Sequence, residues 1–230
     1  MKKIICFAVL LMGLTFGAQS FAQDYYGNVG VSTEYFWRGV AMNDSNPSIY
    51  GGGAIEKGFL TAGAWAAQTD IGTVEYDLFV SVHQTLGDFQ VSGGAIRYAY
   101  VDNAKQYDRI KKKFDHVDAL NEAYFGVGYG PLNVKYFNDL DSDAGYWQGA
   151  LRLPTAYTVV PTVEYGKNVD GIWTDAGTDF FALALSKGIG EMEIIARVYD
   201  FIDVDAVAPL SDFYGDFVEG ASVAVQYNFQ

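Results

Sequence analysis

The sequence predicts an all-β chain, an antiparallel transmembrane β-barrel of about 12 strands (range roughly 10–14), with short periplasmic turns and longer extracellular loops. Three observations predict it. The chain opens with an export signal. Its segments alternate apolar and polar residues with a period of two, and its connections alternate between short and long.

The export signal comes first. Lys2 and Lys3 precede an apolar run from Ile4 to Thr15. That run is too short to cross a bilayer as a helix. Ser20-Phe21-Ala22 fits a cleavage site before Gln23, and Ala18-Gln19-Ser20 is a competing one. The expected division is a signal peptide at 1–22 and a single outer-membrane β-barrel domain at 23–230. Cys6, the one cysteine, leaves with the peptide, which rules out disulfides and thiolate chemistry in the mature chain. The formal net charge is -13, and loss of Lys2 and Lys3 takes it to -15. Nucleic acid is a poor partner for such a surface. After residue 22 there is no apolar run long enough for a membrane helix, so strands are the remaining way across a bilayer. The 17 tyrosines, 16 phenylalanines and 26 glycines favour β structure.

The first strand is read as Gly27 to Arg38, with Val29, Val31, Thr33, Tyr35 and Trp37 alternating with Asn28, Gly30, Ser32, Glu34, Phe36 and Arg38. A polar loop from Gly39 to Pro47 follows. The second strand is Ser48 to Ile55, and Glu56-Lys57-Gly58 turns the chain into a third, Phe59 to Ala67. The fourth, Thr73 to His83, sets Val74, Tyr76, Leu78, Val80 and Val82 against Glu75, Asp77, Phe79, Ser81 and His83. The fifth is Phe89 to Tyr100. There Arg97 shares parity with Phe89 and Val91, which calls for a bulge near Gly93-Gly94 or a rim position with its head in water. A charged linker, Val101 to Val117, leads to the sixth, Asp118 to Gly128, and the seventh, Leu132 to Asn138. The eighth is Gly145 to Leu153. The ninth, Ala156 to Tyr165, contains Pro161 and so calls for a bulge or a rim position. The tenth is Thr178 to Ser186 and the eleventh Glu191 to Tyr199. The last, Val218 to Phe229, is the clearest, with Ala221, Val223, Val225, Tyr227 and Phe229 on one face.

Even-to-odd connections are short, and most odd-to-even connections are longer and polar. That asymmetry suits an outer-membrane barrel, and lipid demands closure because an open edge leaves unpaired backbone groups. A soluble sandwich or lipocalin-like barrel is the alternative, and it needs no such regular asymmetry.

The stretch Asn28 to Val40, with its Phe36-Trp37-Arg38-Gly39 step, then Asn43 to Pro47 and Gly51-Gly52-Gly53, resembles the opening of the TorF-type porins. Phe59 to Trp65 and Glu75-Tyr76-Asp77 are also similar. The resemblance covers about residues 26 to 100. It implies an outer-membrane barrel in a bacterial cell and a porin, and it marks Arg38 and Gly39 as family-like positions with no task attached. Gln230 after Phe229 departs from the usual aromatic last residue of such barrels.

The candidate functional set is the ionisable residues on the polar face: Glu34, Arg38, Glu75, Asp77, Glu122, Lys135, Arg152, Glu164, Glu193 and Arg197. Opposed charges around a water-filled lumen set a transverse field that filters solutes. The plainer reading is a packed interior in which acids and bases pair to tolerate burial. Tyr35, Trp37, Tyr136, Trp147, Tyr157, Tyr165, Tyr199, Tyr227 and Phe229 are candidates for aromatic girdles. Asp139, Asp141 and Asp143 alternate, but the twelfth position from Asp139 is Ala150, so no EF-type calcium loop forms. No metal site and no cofactor is expected. Neither histidine sits in a catalytic motif, and His83 with Ser81 is the weak exception.

The expected function is a porin-like channel for passive diffusion of small polar solutes, not an enzyme. The alternatives are a non-conducting structural or binding barrel and, behind it, a barrel enzyme. Expected partners are outer-membrane lipids, the barrel assembly machinery and the solutes themselves, with no nucleic acid and the oligomeric state left open.

Overall fold

The computed structural model describes residues 23–38, 40–43, 46–70, 73–101, 119–141, 144–155, 158–169, 179–201 and 220–229. The expected signal peptide at 1–22, Lys111-Lys112-Lys113, His116, Asp143 and Tyr157 lie outside these residues. The strands are β1 (Gln23–Ser32), β2 (Phe36–Trp37), β3 (Val40–Ala41), β4 (Ser48–Lys57), β5 (Leu60–Asp70), β6 (Thr73–Leu86) and β7 (Phe89–Val101). They continue as β8 (Ala119–Tyr129), β9 (Leu132–Asp139), β10 (Gly145–Arg152), β11 (Val159–Val169), β12 (Phe180–Ile189), β13 (Met192–Phe201) and β14 (Gly220–Phe229).

All but β2 and β3 join one closed antiparallel barrel, twelve strands in sequence order, with β1 bonded to both β4 and β14. Closure leaves no open edge to solvate, which is what hydrocarbon requires. The protein is an outer-membrane barrel, and its outward face is the apolar one. Val29, Val31, Leu78, Val80, Val223 and Val225 are all exposed there. The inward parity is fixed by register: Glu193 pairs with Gln226, Gln226 with Gly30, and Gly30 with Tyr50.

Four of the periplasmic turns share one device. Gly58, Gly87, Gly130 and Gly190 each open a two-residue connection with a positive φ of 62°, 61°, 54° and 63°. Glycine there supplies the backbone twist that flanking strands need, at no steric cost.

The first strand is shorter than its alternation predicts. Wall pairing ends at Ser32, opposite Ala224 and Ser48. Thr33 then donates its N–H to the Val223 carbonyl at 2.9 Å. Beyond that point the chain leaves the wall, and β2 and β3 form a separate two-stranded ribbon. The period-two pattern continues because the ribbon is also a strand, although no barrel strand pairs with it among the described residues. Tyr35 and Trp37 therefore do not belong to a lipid girdle.

Three smaller points also differ or resolve. There is no bulge at Gly93-Gly94, since β6 and β7 pair without a break from Leu86–Phe89 to Val74–Val101. The register shift lies between Gln68 and Asp70 instead. Arg97 stays on the outer face, four residues from the upper end of β7, bonded to Asn121 Oδ1 at 3.3 Å. Asn121 in turn donates to Asp141 Oδ2 at 2.8 Å. Pro161 is the third residue of β11, paired in register with Leu185 at the periplasmic rim, where its missing N–H costs least.

Candidate functional site

The ribbon after β1 lies inside the barrel. Trp37 pairs with Val40 and Phe36 with Ala41, which leaves Arg38 at the hairpin tip with a φ of 51°. A left-handed arginine is strained by about 1–2 kcal/mol, so surrounding contacts must hold it there. The base of the hairpin is tied by buried Asn43. Its Oδ1 accepts the Tyr35 N–H at 2.9 Å, and Met42 donates its N–H to the Tyr35 carbonyl at 2.8 Å. Asn46 closes the far side, donating to the Asn43 carbonyl from its backbone N–H at 2.8 Å and from Nδ2 at 3.0 Å.

Four consecutive side chains then reach different walls. Tyr35 donates its hydroxyl to Glu75 Oε1 at 2.8 Å, and its ring lies 5.5 Å from that of Trp65. Phe36 stacks on Tyr199 at 4.2 Å, in the seat beside Gly220, where a Cβ would collide with the Phe36 ring. Trp37 meets Tyr98 edge-on at 5.8 Å. Arg38 forms a fork with Glu122, Nη1 to Oε1 at 2.8 Å and Nη2 to Oε2 at 2.5 Å. Its guanidinium carbon lies 4.4 Å from the Trp37 ring centre, 4.9 Å from Phe137 and 4.3 Å from Tyr146. A planar, weakly hydrated cation suits such a site as an ammonium does not.

Ribbon, acids and rings pack together inside the barrel, near the strand ends opposite the short turns. Glu75 has no exposed surface, Tyr146 keeps 2% and Glu122 3%. Within the ribbon segment, burial and then the Glu75 carboxylate hold the Tyr35 phenol well above its ordinary value. For Arg38, burial opposes the charge, but the Glu122 carboxylate together with Tyr98 and Tyr146 tips the balance the other way, and the guanidinium is held above its ordinary value.

The ten residues of the polar-face set are placed as follows. Glu34 and Arg38 belong to the inserted segment rather than to a wall strand. Glu75 and Asp77 on β6, Glu122 on β8, Lys135 on β9 and Arg152 on β10 occupy inward registers, as do Glu164 on β11 and Glu193 and Arg197 on β13. Three groupings emerge. Arg38 joins Glu122. Arg197 Nη2 reaches Glu164 Oε1 at 3.2 Å across β12, where Ala182 and Ala184 leave room. Glu193 accepts from Gln226 Nε2 at 3.0 Å, and Gln226 Oε1 also takes the Tyr50 hydroxyl at 3.2 Å. Lys135 stands over the Tyr124 ring at 5.4 Å, and Arg152 is exposed near the periplasmic mouth. Ser81 and His83 do not form a pair. Ser81 bonds Tyr124, and His83 lies 3.6 Å from Glu56.

Sequence reasoning set aromatics such as Phe79, Phe137 and Tyr146 on the polar face but counted none of them among the functional candidates, and it assigned Tyr199 to a girdle. Tyr199 is 4% exposed inside the barrel, not in a girdle, because it shares parity with Arg197. Tyr98, Phe137, Tyr146 and Phe180 likewise fall on the inward parity of their strands. Trp147, Tyr165, Tyr227 and Phe229 are exposed on the outer face, and Tyr136 shares that parity.

A profile described as a bacterial protein of unknown function, Gcw_chp, matches residues 18–208. No curated protein matches the sequence. Among solved structures, the chain is similar in fold to a KdgM porin, with a TM-score of 0.58 and 9% identity over 89% of this chain and 99% of that one. It is similar also to a KdgM porin in complex with disordered oligogalacturonate, with a TM-score of 0.57 and 8% identity over 91% of this chain and 100% of that one.

Proposed function

Taking as premise that the chain belongs to the Gcw_chp family, we propose that it is a porin-like channel for passive diffusion of small polar solutes, and that the ribbon at 36–41 is its gate. One observation carries this reading. The ribbon is its own two-stranded sheet, held to the wall by side chains rather than by backbone pairing. A segment of that kind leaves its seat without unzipping the barrel, so the lumen opens while the wall stays closed. Below the seat the lumen is lined by groups that keep some contact with water, among them Glu164, Lys135, Gln148 and Gln226. No catalytic step belongs to this reading.

Solutes would be neutral or cationic. The polar-face set holds six acids, Glu34, Glu75, Asp77, Glu122, Glu164 and Glu193, against four bases. Oligogalacturonate, the polyanion bound to the similar porin, is a poor electrostatic match for that balance.

A second reading, a sealed barrel that binds but does not conduct, is favoured by the depth at which Glu75 and Tyr146 are buried. Planar-bilayer recording separates the two. The whole chain should give discrete steps, and a variant with Phe36–Ala41 replaced by a short glycine-serine link should give larger or longer ones. Folded barrels of both forms that pass no current would overturn the channel reading.

A further inference from the structure

Below the ribbon, the acids and bases of the lumen fall on two opposite walls. Lys135 on β9 and Arg152 on β10 stand on adjacent strands. Asp24 on β1, Glu56 on β4 and Glu193 on β13 stand on the far side, since β9 lies six strands from β1 in either direction around the barrel. All five take inward registers. They lie on the periplasmic side of the ribbon's contacts. Lys135 comes two residues before Phe137, Arg152 six after Tyr146, and Glu193 six before Tyr199. All five also meet solvent: Asp24 and Arg152 are exposed, and Glu56, Lys135 and Glu193 are half-buried.

Pairing takes the other two lumenal cations out of play. Arg38 is committed to both oxygens of Glu122, and Arg197 to Glu164. Among the described residues, Lys135 and Arg152 form no ion pair. Lys135 is held in place all the same. Its Nζ lies 5.4 Å from the Tyr124 ring centre, and its stem occupies room left by Gly126, where a Cβ would come within 3.0 Å of Lys135 Cγ. The acid wall is fixed by hydrogen bonds. Gln226 Nε2 donates to Glu193 Oε2 at 3.0 Å and to Asn228 Oδ1 at 3.1 Å, and Gln226 Oε1 accepts the Tyr50 hydroxyl at 3.2 Å. Glu56 Oε1 lies 3.6 Å from His83 Nε2.

The width of the barrel lets these walls act on one solute. Twelve strands about 4.8 Å apart and tilted about 40° enclose a tube roughly 24 Å across between backbones. Side chains from both walls narrow it to about 12 Å between charged heads, not far beyond the Debye length of about 8 Å at physiological salt. Low-dielectric walls focus the field of such charges into the water between them. A lone ion gains at one wall what it loses at the other. A solute that carries both charges can turn and gain at both. We propose that Lys135 and Arg152, facing Glu193 and Glu56 across the lumen, are the specificity-determining residues of the channel, and that they select small zwitterions bearing an ammonium and a carboxylate. The inference rests on the channel reading and narrows its solutes to dipolar molecules with no net charge.

The test places the whole chain, and the form with Phe36–Ala41 replaced by a glycine-serine link, in lipid vesicles and follows uptake of labelled alanine and labelled lactamide. The two solutes share one formula, and only the first is a zwitterion. At low salt alanine should enter about threefold faster, the gain expected when two charges each lie several ångströms from an opposite one in water. At 1 M salt, where the Debye length is about 3 Å, the ratio should fall to about one. Lys135→Gln with Arg152→Gln, and separately Glu193→Gln with Glu56→Gln, should also bring it to about one with lactamide uptake unchanged. Lys135→Arg should keep the preference, and so should Arg97→Gln on the outer face. In a KCl gradient, Lys135→Glu should move the reversal potential towards K⁺ and Glu193→Lys towards Cl⁻. Heat-modifiable migration in gels reports that each variant has folded. Equal uptake of the two solutes at low salt overturns the filter and leaves the channel standing, as does an alanine preference that survives Lys135→Gln with Arg152→Gln. Folded protein of both forms that takes up neither solute overturns the channel reading and the filter with it.

Discussion

Replacing Arg38 with alanine is the sharpest perturbation of the proposed gate. Glu122, 3% exposed, would lose both bonds that the guanidinium supplies, at 2.8 and 2.5 Å. Removing one partner of a buried pair costs about 3–5 kcal/mol, chiefly because the other charge is left without compensation. The backbone term drops out of the comparison, because alanine also carries a Cβ and is strained at a φ of 51°. Here the protein has an escape: the ribbon can leave and let water reach Glu122. The cost therefore appears as lost docking rather than lost folding. At about 1.4 kcal/mol per decade, the docked-to-undocked ratio falls by roughly a hundredfold to a few thousandfold. Two assays report it. Single-channel recording gives open probability, and the Trp37 signal, isolated by difference from Trp37→Phe, gives loss of the contact with Tyr98. Arg38→Lys should be intermediate, since an ammonium keeps the charge and loses the fork. Arg38→Ala combined with Glu122→Gln should recover part of the docking. Wild-type open probability and an unchanged Trp37 signal in folded Arg38→Ala would refute the reasoning.

Two further outcomes are expected. Gly220→Val should unseat Phe36 without altering any charge, because even a Cβ at 220 would lie 2.9 Å from Phe36 Cε1, so open probability should rise as in Arg38→Ala; unchanged gating in recordings would count against the seat. Val80→Arg, at an outward position in the middle of β6, should lower stability in lipid by about 2–4 kcal/mol, whereas Arg97→Leu near the rim should change it by less than about 1 kcal/mol, both read by urea unfolding into phospholipid vesicles.

The wall of the barrel was legible because its information is local. One alternating face of β6 reads Glu75, Asp77, Ser81 and His83, and one face of β14 reads Ser222, Gln226 and Asn228. Both lie inside the barrel with no change of parity. The same rule placed Arg97 outward, and the rim position resolved it without a bulge. The ribbon was not legible, for a physical reason. Alternation is a property of extended chain and is indifferent to whether that chain pairs with a wall or folds back on itself. Val29 to Trp37 keeps one period through the point where the chain turns inward. Tyr199 was misassigned for a related reason. An aromatic near a strand end suits a girdle or a lumen equally, and only its parity with Arg197 separates the two.

On the proposed gate reading, the wall and the ribbon divide the work of closing the lumen. Where the ribbon's side chains enter, the inner wall is built small: Gly220 under Phe36, Ala67 beside Glu75, and Ala182 between Glu164 and Tyr199. Where the ribbon is absent, the wall supplies hydrogen-bonding side chains such as Tyr50, Lys135 and Gln226. Rings large enough to seal a barrel of this width come from both partners, Phe36 and Trp37 from one and Tyr98, Tyr146 and Tyr199 from the other, and they meet only when the ribbon is docked. Withdrawing the ribbon removes half of each contact and leaves the backbone ladder of the wall untouched. On the proposed gate reading, the free energy of opening would be set by a few polar bonds and ring contacts rather than by strand pairing, and the pore would open without the barrel approaching its unfolding limit.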